Sequence, residues 1–459
     1  IGLLLFFFCI PLLASALRSD AAVRRWTWLL LGAAPYIYAW THLSVSIVSW
    51  AYWPGYVKGL IISLPDLLAI GLLLSTPRRR IRPGILIVFA AYIAAVVLSM
   101  TVSNLPFASF QYAWQLLRVM LVAVAVARIS AGSDAPRHII YGMCCGIVFQ
   151  AVFSLIQHFG HGVVQASGTM GHQNLLGMMT HFALLSALAL MLAGDRALIL
   201  KIGVAAALVV VALTGSRGTV GFAGVGVVTL LLLSLIRHPT AKKMRVAGAG
   251  LAVLLALSPV AYLTLEKRFA ASGDEGTYDE RAAFKRAARA MWSDHPLGVG
   301  ANEYVVTANT KGYSSRAGVI WTKGSRSANV HNVYLLIAAE TGWPGLVTFL
   351  LLYVTAVATA LRAAWAKPYG RHSELLLGVV VVLATVGIHS LYEWIFVTEF
   401  TQYLFAIMLG FAMGLGMKTI KRRASAGIAL FDRPPDAVPV HGPLPSPDLR
   451  PPAVDKPVG

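Results

Sequence analysis

Hydrophobic and polar positions alternate along this chain in long blocks. About thirteen apolar segments, most of them near 20 residues long, are separated by polar loops. An apolar helix of about 20 residues crosses the roughly 30 Å hydrocarbon core of a bilayer, and the two-residue alternation of barrel strands is not seen. The pattern therefore predicts an all-α polytopic membrane protein. The predicted spans are 1–17, 26–50, 57–75, 84–103, 113–130, 138–159, 173–193, 197–214, 218–236, 246–265, 344–365, 374–394 and 399–418.

The longest polar interruption divides the chain into regions. Residues 1–265 are predicted to form an N-terminal bundle of spans and 344–419 the C-terminal spans. Between them, 266–343 is predicted to be one large loop outside the membrane, with a helix at 278–293 and a short surface helix at 331–341. The proline-rich residues 420–459 are expected to be a disordered cytoplasmic tail.

Composition agrees with the membrane class and excludes a soluble globule. Hydrophobic residues make up 57% of the chain, charged residues only 12%, and the mean hydropathy is +0.70; soluble domains average about 25% charged residues. Cys9, Cys144 and Cys145 lie in apolar runs, so no disulfide framework is expected. We expect no cleavable signal peptide, and an incomplete first span because the chain begins at Ile1.

The basic charge predicts an orientation. The net charge of +19 could suggest a nucleic-acid partner, but most lysines and arginines lie in alternate loops, such as "STPRRRIRP" and "KTIKRR". The positive-inside rule makes these loops cytoplasmic. Thirteen spans would then start outside and end inside, with the 266–343 loop on the outer side, membrane lipids as partners and no nucleic acid.

Two outer regions break the charge rule. The large loop carries ten basic residues, eight of them between Arg281 and Arg326, and "LTGSRGTVGFAG" places Arg217 in a tight outer turn. A guanidinium matches phosphate oxygens in pairs, and a helix beginning near Thr219 would add amide donors. Arg217 could instead snorkel to headgroups or pair with Glu393 or Glu399. For most of the eight loop residues, the alternative to binding an anion is simple solvation at the protein surface. These residues are Arg281, Lys285, Arg286, Arg289, Lys311, Arg316, Lys323 and Arg326.

The stretch "HNVYLLIAAETGWPG" predicts a broken helix. From His331 to Thr341 is about 16 Å of helix, too short to cross a membrane, and Pro344 suits the first turn of a new helix. His331 is therefore expected in an outer cleft, where a neutral imidazole can act as a base near pH 7. The alternative is that His331 has only a structural role, with its polar atoms hydrogen-bonded within the protein. Glu340 is expected to brace the corner or pair with an arginine.

Other polar residues in apolar segments are expected to be structural. Asp66 is predicted to hold a buried hydrogen-bonding role, and Arg118 to snorkel or face the outer cleft. There is no metal-ligand spacing and no phosphate-cradling Walker loop, so neither a metal nor ATP is expected. The histidines read as satisfied polar groups are His42, His138, His158, His161, His181, His238 and His389.

Four motifs in order resemble the O-antigen ligase and polymerase superfamily. They are "GTMGHQNLLG", "TGSRGTVG", "RAAFKRAARAMWSDHPLGVGANEY" and "HNVYLLIAAETGWPG". They cover about 165 to 350, and the remaining chain is similar only in hydropathy. Phe284 stands where the family often has tryptophan, and family ligases usually have twelve spans rather than thirteen.

The resemblance implies a GT-C-like fold of about 12–13 helices in the bacterial inner membrane, with the active site facing the periplasm. It implies a glycan donor linked to undecaprenyl pyrophosphate and no cofactor; ligases transfer the O-antigen to lipid A–core, whereas polymerases join repeat units. It assigns Arg217 and Arg281 to the pyrophosphate and His331 to the base. Further possible substrate contacts are His172, Asn174, Arg286, Arg289, Lys323, Arg326, Asn332 and Glu340.

The chemistry is consistent with this assignment. Two arginines can neutralise a leaving pyrophosphate, and a base that deprotonates an acceptor hydroxyl completes an inverting displacement. The single late outer loop favours a ligase over a polymerase. A lipid-linked anion transporter or flippase would instead place charges at mid-membrane depth on several spans, and a structural scaffold would not require outer arginines.

Overall fold

The computed structural model describes residues 2–41, 43–77, 81, 83–248 and 279–416. Most of the predicted span 246–265, the beginning of the predicted loop at 266–278 and the predicted tail at 420–459 lie outside the described residues. Residues 78–80 and 82 of the basic loop "STPRRRIRP" lie outside them as well.

The apolar runs form helices, as predicted. The first nine are α1 (Gly2–Ser19), α2 (Ala21–Thr41), α3 (Leu64–Ser75), α4 (Gly84–Ser99), α5 (Pro106–Ser130), α6 (Ala135–Leu155, continued by a π turn, Ile156–Gly160), α7 (Gln173–Leu192), α8 (Leu198–Leu213) and α9 (Arg217–Arg237). After the gap come α10 (Glu280–Asp294), α11 (Tyr304–Thr310), α12 (Tyr313–Arg316), α13 (Lys323–Arg326), α14 (Val333–Ala366), α15 (Arg371–His389) and α16 (Glu399–Leu415), with a 3-10 turn at Ile395–Val397.

Six helices of the described chain are long and apolar enough to cross a membrane: α5, α6 with its π turn, α7, α9, α14 and α15. Shorter apolar helices lie at Phe8–Ser19, Leu64–Ser75, Gly84–Ser99, Leu198–Leu213 and Glu399–Leu415. The protein is therefore an all-α polytopic membrane protein, as the hydropathy pattern predicts.

Two predicted spans are wrong over part of their length. Residues Ser44–Ser49 (β1) and Gly59–Ser63 (β2) form a two-stranded antiparallel sheet instead of helix. β-Branched residues such as Val45 and Ile62, which pair across the sheet, favour the strand conformation. Helix α3 begins only after Ser63, whose backbone N–H donates to the Asp66 carboxylate at 2.8 Å. The sequence "SVSIVS" of β1 alternates serine with apolar residues over its first four positions, a strand signal that the predicted span 26–50 overrode. The sequence "GLIIS" of β2 has no such alternation.

Helix α7 lies at the centre of the bundle. It packs against α6, α8, α9, α15 and α16, and nearly all its side chains are buried. Because His172 caps this largely buried helix and Asn174 lies in its first turn, α7 fixes one wall of the site described below.

The loop helix α10 carries the predicted apolar stripe. Phe284, Ala288 and Met291 are all buried, and the Asp279 side chain accepts the Ala282 N–H at 3.1 Å to start the helix. The helix ends at Asp294, before the glycines of "HPLGVG". The described helix thus lies within two residues of the predicted 278–293 at both ends.

Helix α14 breaks at the predicted corner. Gly342 has φ 62° and ψ −161°, outside the helical region, and a Cβ there would lie 2.1 Å from the Pro296 carbonyl oxygen. The next residue, Trp343, donates its N–H to that same oxygen at 2.9 Å. Glycine is required because it alone tolerates this backbone conformation and this close approach.

The "HPLGVG" and "ETG" stretches meet at this corner. A Cβ on Gly298 would lie 2.2 Å from the Glu340 carbonyl oxygen, and the Gly300 N–H donates to the same oxygen at 2.9 Å. The Glu340 carboxylate is buried and accepts from the Tyr56 hydroxyl at 2.6 Å and from the Tyr304 N–H at 3.0 Å. Glu340 therefore braces the corner and, within the described chain, pairs with no arginine.

Candidate functional site

The ends of several helices meet around one carboxylate, that of Glu393, in the short segment between α15 and α16. Its side chain is only 4% exposed. One carboxylate oxygen, Oε1, accepts from Asn174 Nδ2 at 2.7 Å and from Arg281 Nη2 at 3.1 Å. The other, Oε2, lies 3.0 Å from His331 Nδ1. Residues from α7, α10, the start of α14 and the end of α15 are thus held at one point.

The electrostatics keep Glu393 ionised. Burial by itself would raise the pKa of Glu393, but the hydrogen bond with His331 and the nearby charge of Arg281 act in the opposite direction, and the pKa lies below its ordinary value of 4.5. An ionised carboxylate can then act as the fixed partner of an imidazole.

Asn332 positions His331. Its Oδ1 caps α14 by accepting the Leu335 N–H at 2.9 Å, while its Nδ2 donates to the Leu391 carbonyl at 3.0 Å. The Val333 N–H donates to the Ser390 carbonyl at 2.9 Å. The His-Asn pair thus ties the start of α14 to the segment that carries Glu393, and Asn332 acts through this cap.

The contacts of His331 define its chemistry. Because the Glu393 carboxylate accepts at Nδ1, the hydrogen-bond network assigns the proton to Nδ1 and leaves Nε2 able to accept another. The ring of Phe284 stacks on the imidazole, with centroids 6.1 Å apart, and the side chain is 20% exposed. A neutral imidazole oriented by a carboxylate is the arrangement of a general base.

Arg217 lies in a cavity of about 620 Å³ next to this cluster. It is the first residue of α9, which begins two residues before the predicted Thr219, because the Ser216 side chain caps the helix by accepting the Thr219 N–H at 3.3 Å. Arg217 is exposed to the cavity. In the described part of the chain it has neither an ion pair nor a hydrogen bond, and Glu393 and Glu399 are paired with other cations.

Arg281 lies on the same cavity. Its side chain is 51% exposed, and a single nitrogen, Nη2, contacts Glu393. The other guanidinium nitrogen atoms remain available to a ligand. Other residues that line the cavity are Gln165, Gln173, Asn174, Gly215, Ser216, Gly218, Phe222, His389, Tyr392 and Glu393.

Two buried histidines lie behind the cavity. His181 Nε2 lies 3.2 Å from His389 Nδ1, and the His389 ring contacts Phe222 with centroids 5.0 Å apart. His181 is fully buried, as expected of a core residue, but its Nδ1 has no hydrogen-bond partner among the described residues, so only one of its two ring nitrogens is satisfied. His389, however, lines the cavity, which hydropathy could not indicate because it ends an apolar helix.

The structure separates the remaining predicted contacts into two groups. His172 is close to the cluster: its Nδ1 accepts the Asn174 N–H at 3.1 Å, and burial lowers its pKa below the ordinary value, an effect that the Glu393 charge opposes and the His331 charge reinforces. Arg286 instead donates to the Ala317 carbonyl at 2.9 Å, and neither Arg289 nor Lys323 lines the cavity. Of the basic residues on α10, only Arg281 lines this cavity.

Arg326 holds the loop together. Its guanidinium packs 3.9 Å from the Trp321 ring centroid, and it donates to Asn309 Oδ1 at 3.3 Å and to the Val319 carbonyl at 2.7 Å. These contacts explain the position of Arg326, and no ligand is needed to explain it. Among the described residues, no group of three or more His, Cys, Asp or Glu side chains is arranged to hold a metal ion.

Glu393 is the main site residue that sequence reasoning did not assign. It was considered only as an ion-pair partner for Arg217, whereas its actual partners are Arg281 and His331. A usable signal was present: in "HSLYEWIF" a single acid stands between two long apolar segments on the outer side.

One comparison with known proteins bears on this site. Residues 202–350 match a protein-family model described as Wzy_C: O-Antigen ligase. The matched region contains Arg217, Arg281 and His331, whereas Asn174 and Glu393 lie outside it. A search of curated proteins found no match.

Proposed function

Because the chain belongs to the O-antigen ligase superfamily, we propose that it is an O-antigen ligase, a glycosyltransferase that moves glycan from undecaprenyl pyrophosphate to lipid A–core. One observation carries this proposal: Arg217, which has no partner among the described residues, shares a cavity with Glu393, the carboxylate that orients His331. A donor with a pyrophosphate would supply the anion that Arg217 lacks.

The two arginines act on the leaving group. In the proposed reaction the bond between the anomeric carbon and the pyrophosphate oxygen breaks, and the pyrophosphate leaves with the bonding electrons. Arg217 and Arg281 stabilise the charge that develops on it, a role in which a positioned cation contributes most in a site that excludes water. This chemistry needs no ATP and no metal.

His331 acts on the acceptor. A hydroxyl of the acceptor sugar gives its proton to His331 Nε2 while its oxygen forms the new bond to the anomeric carbon on the face opposite the pyrophosphate. The configuration at that carbon therefore inverts. The imidazolium that forms is stabilised by Glu393, 3.0 Å from Nδ1.

The proposed location is the bacterial inner membrane, with the cavity facing the periplasm. The support is the charge pattern, in which the loops at the other ends of the helices hold most of the lysines and arginines.

Two alternative functions differ from a ligase in the glycan acceptor: a polymerase uses a different acceptor, and a flippase uses none. A polymerase of the same superfamily would use the same cavity with a second lipid-linked glycan as acceptor. A flippase is disfavoured by Arg118–Asp66, a charge pair within the described spans, because these side chains are only 5% and 3% exposed.

The test is a transfer assay with the purified full-length chain and a lipid-linked glycan donor. In buffer with EDTA and no ATP, glycan should appear on lipid A–core when that acceptor is added. Without the acceptor, the donor glycan should not be extended into longer chains. Chain extension with the donor alone would identify a polymerase instead. Movement of intact donor across a proteoliposome membrane without transfer would contradict the enzyme assignment.

A further inference from the structure

A second cavity lies at the opposite ends of the helices. Its volume is about 350 Å³, and it is formed by the end of α1, the start of α2, the end of α3 and the end of α5. Helix α5 sets its distance from the first site: Ser109, near the start of α5, donates to the Ala301 carbonyl in the outer loop, whereas Arg128 lies in the last turn. About 19 residues of helix separate the two, roughly 28 Å.

The cavity wall is basic. Arg18, Arg24 and Arg128 line it, and none of its described lining residues is acidic. Arg18 Nη2 donates to the Leu74 carbonyl at 2.7 Å, and Arg24 Nη1 donates to the Leu17 carbonyl at 3.0 Å. These neutral contacts hold the guanidinium groups in place without neutralising them. The nearby Asp134 pairs with Arg371 and lies outside the cavity lining.

Two buried donors in the same wall have no partner. Arg128 Nε and Trp28 Nε1 are both buried, and neither has a hydrogen-bond acceptor in the described structure. Buried polar groups in native proteins are nearly always hydrogen-bonded, so two orphaned donors beside three cations indicate a missing acceptor. The positive-inside rule explains arginines at this membrane face, but it does not explain buried N–H groups that lack an acceptor.

The rest of the wall is apolar. Leu17, Leu72 and Ile129 line the cavity together with the arginines, and Leu12 and Trp26 on the adjoining helices are highly exposed, as expected of side chains that face lipid. A ligand here would meet cationic donors on one side and hydrocarbon on the other. That combination matches an amphipathic anion better than a free one.

We propose that this cavity binds the phosphate headgroup of an anionic phospholipid, with Arg24, Arg128 and Trp28 as its donors. Basic pockets between helices at the cytoplasmic face are a known way of holding such headgroups. The site is separate from the glycan-transfer cavity and does not depend on the function proposed above.

The test is lipid binding by the purified full-length chain in detergent, followed by native mass spectrometry and by thermal unfolding. Phosphatidylglycerol should bind saturably and raise the melting temperature, whereas phosphatidylcholine and inorganic phosphate should not. Arg24→Gln and Arg128→Gln should each weaken phosphatidylglycerol binding about fivefold, the effect of one arginine near an anionic headgroup. The matched control is Arg25→Gln, which removes the same charge from the neighbouring exposed residue that does not line the cavity.

A milder variant keeps the test valid if an arginine variant fails to fold. Trp28→Phe retains a ring against His138, which now lies 5.8 Å from the Trp28 ring, but removes the orphaned N–H. Without lipid its melting temperature should equal or exceed that of the wild type, while phosphatidylglycerol binding falls about two- to fivefold.

Three results would overturn the proposal. If Arg25→Gln weakened phosphatidylglycerol binding as much as the cavity variants do, the lipid would be held by diffuse surface attraction. If Trp28→Phe bound phosphatidylglycerol as the wild type does, Trp28 Nε1 would not be a donor to the headgroup. Equal stabilisation by phosphatidylcholine or by inorganic phosphate alone would exclude an anionic lipid as the ligand.

Discussion

Two arginines of this protein occupy opposite kinds of environment. Arg118, within α5, is 5% exposed and has oxygen partners on two neighbouring helices: Asp66 at 2.8 Å, the Tyr403 hydroxyl at 2.7 Å and Glu399 at 3.3 Å. Arg217, at the start of α9, is exposed to a cavity and has no such partner among the described residues.

The difference separates structure from function. A buried arginine surrounded by carboxylates has its charge neutralised by the fold itself, and its loss leaves those carboxylates unpaired. Arg217 has no such partner among the described residues, and the nearby Glu393 carboxylate is already shared by Arg281 and His331. Arg217 is therefore available to bind an anionic ligand. Both residues break the expectation for charges near a membrane, yet only Arg217 requires a ligand to explain it.

The largest expected effect is on transfer by Arg217→Gln. Loss of a cation that stabilises the leaving pyrophosphate should reduce the turnover rate about 100- to 1000-fold. The melting temperature should stay at the wild-type value, because no contact within the described protein is lost. Lys311→Gln is the control, since Lys311 is an exposed cation of the large loop that does not line the cavity. Equal losses in both variants would point to a general charge effect.

The converse result is expected for Arg118→Met. Removing this guanidinium leaves the buried Asp66 carboxylate uncompensated, which should lower the free energy of unfolding by about 3–5 kcal/mol. Transfer per folded molecule should be unchanged. Denaturation in detergent measures the loss, and Arg118→Met combined with Asp66→Asn should recover part of it. A stable single variant with impaired transfer would reverse the assignment of the two arginines.

Glu393→Gln should have an intermediate effect. The amide still accepts a hydrogen bond but no longer stabilises an imidazolium, and a hydrogen bond to a charged group contributes about 1.5–3 kcal/mol. The turnover rate should therefore fall roughly 10- to 100-fold, with a smaller change in KM. If KM rises while the rate is kept, Glu393 orders Arg281 for donor binding instead of serving His331.

The smallest expected effect is on the pH dependence of stability. The folded-state pKa of Glu393 lies below 4.5, so its ion pairs stabilise the protein fully above the ordinary pKa and lose that contribution as the pH falls through the lowered value. The melting-temperature difference between wild type and Glu393→Gln should therefore shrink as the pH falls below about 4. A difference that grows in that acidic range would contradict the sign of this shift.

The sequence predicted the features that depend on local physics. Apolar blocks located the helices, the Gly-Trp-Pro-Gly corner located the break at Gly342, and arginines against the charge rule pointed to Arg217 and Arg281. The strand at 59–63 escaped because a short apolar run has no period that separates strand from helix. The strand at 44–49 does show alternation in "SVSIVS", but it was included in the apolar segment 26–50.

Long-range partners could not be read from the chain. Glu393 lies 62 residues from His331 and 112 from Arg281, and no spacing rule relates residues on separate helices. The same limit applies to Arg118, whose partner Asp66 lies on another helix. Glu340 illustrates the opposite case, since its bracing role was one of the two expected and its partners Tyr56 and Tyr304 explain it.

The most direct test of the central claim is single-turnover transfer by His331→Ala. His295→Ala is the matched control, because His295 is an exposed histidine of the same loop region whose ring contacts Tyr313, whereas the ring of His331 contacts Glu393. Loss of a general base should reduce the single-turnover rate about 100- to 10,000-fold, while donor binding and the rate of His295→Ala stay near wild type. A His331→Ala protein that folds, binds donor and transfers glycan at the wild-type rate would contradict the account.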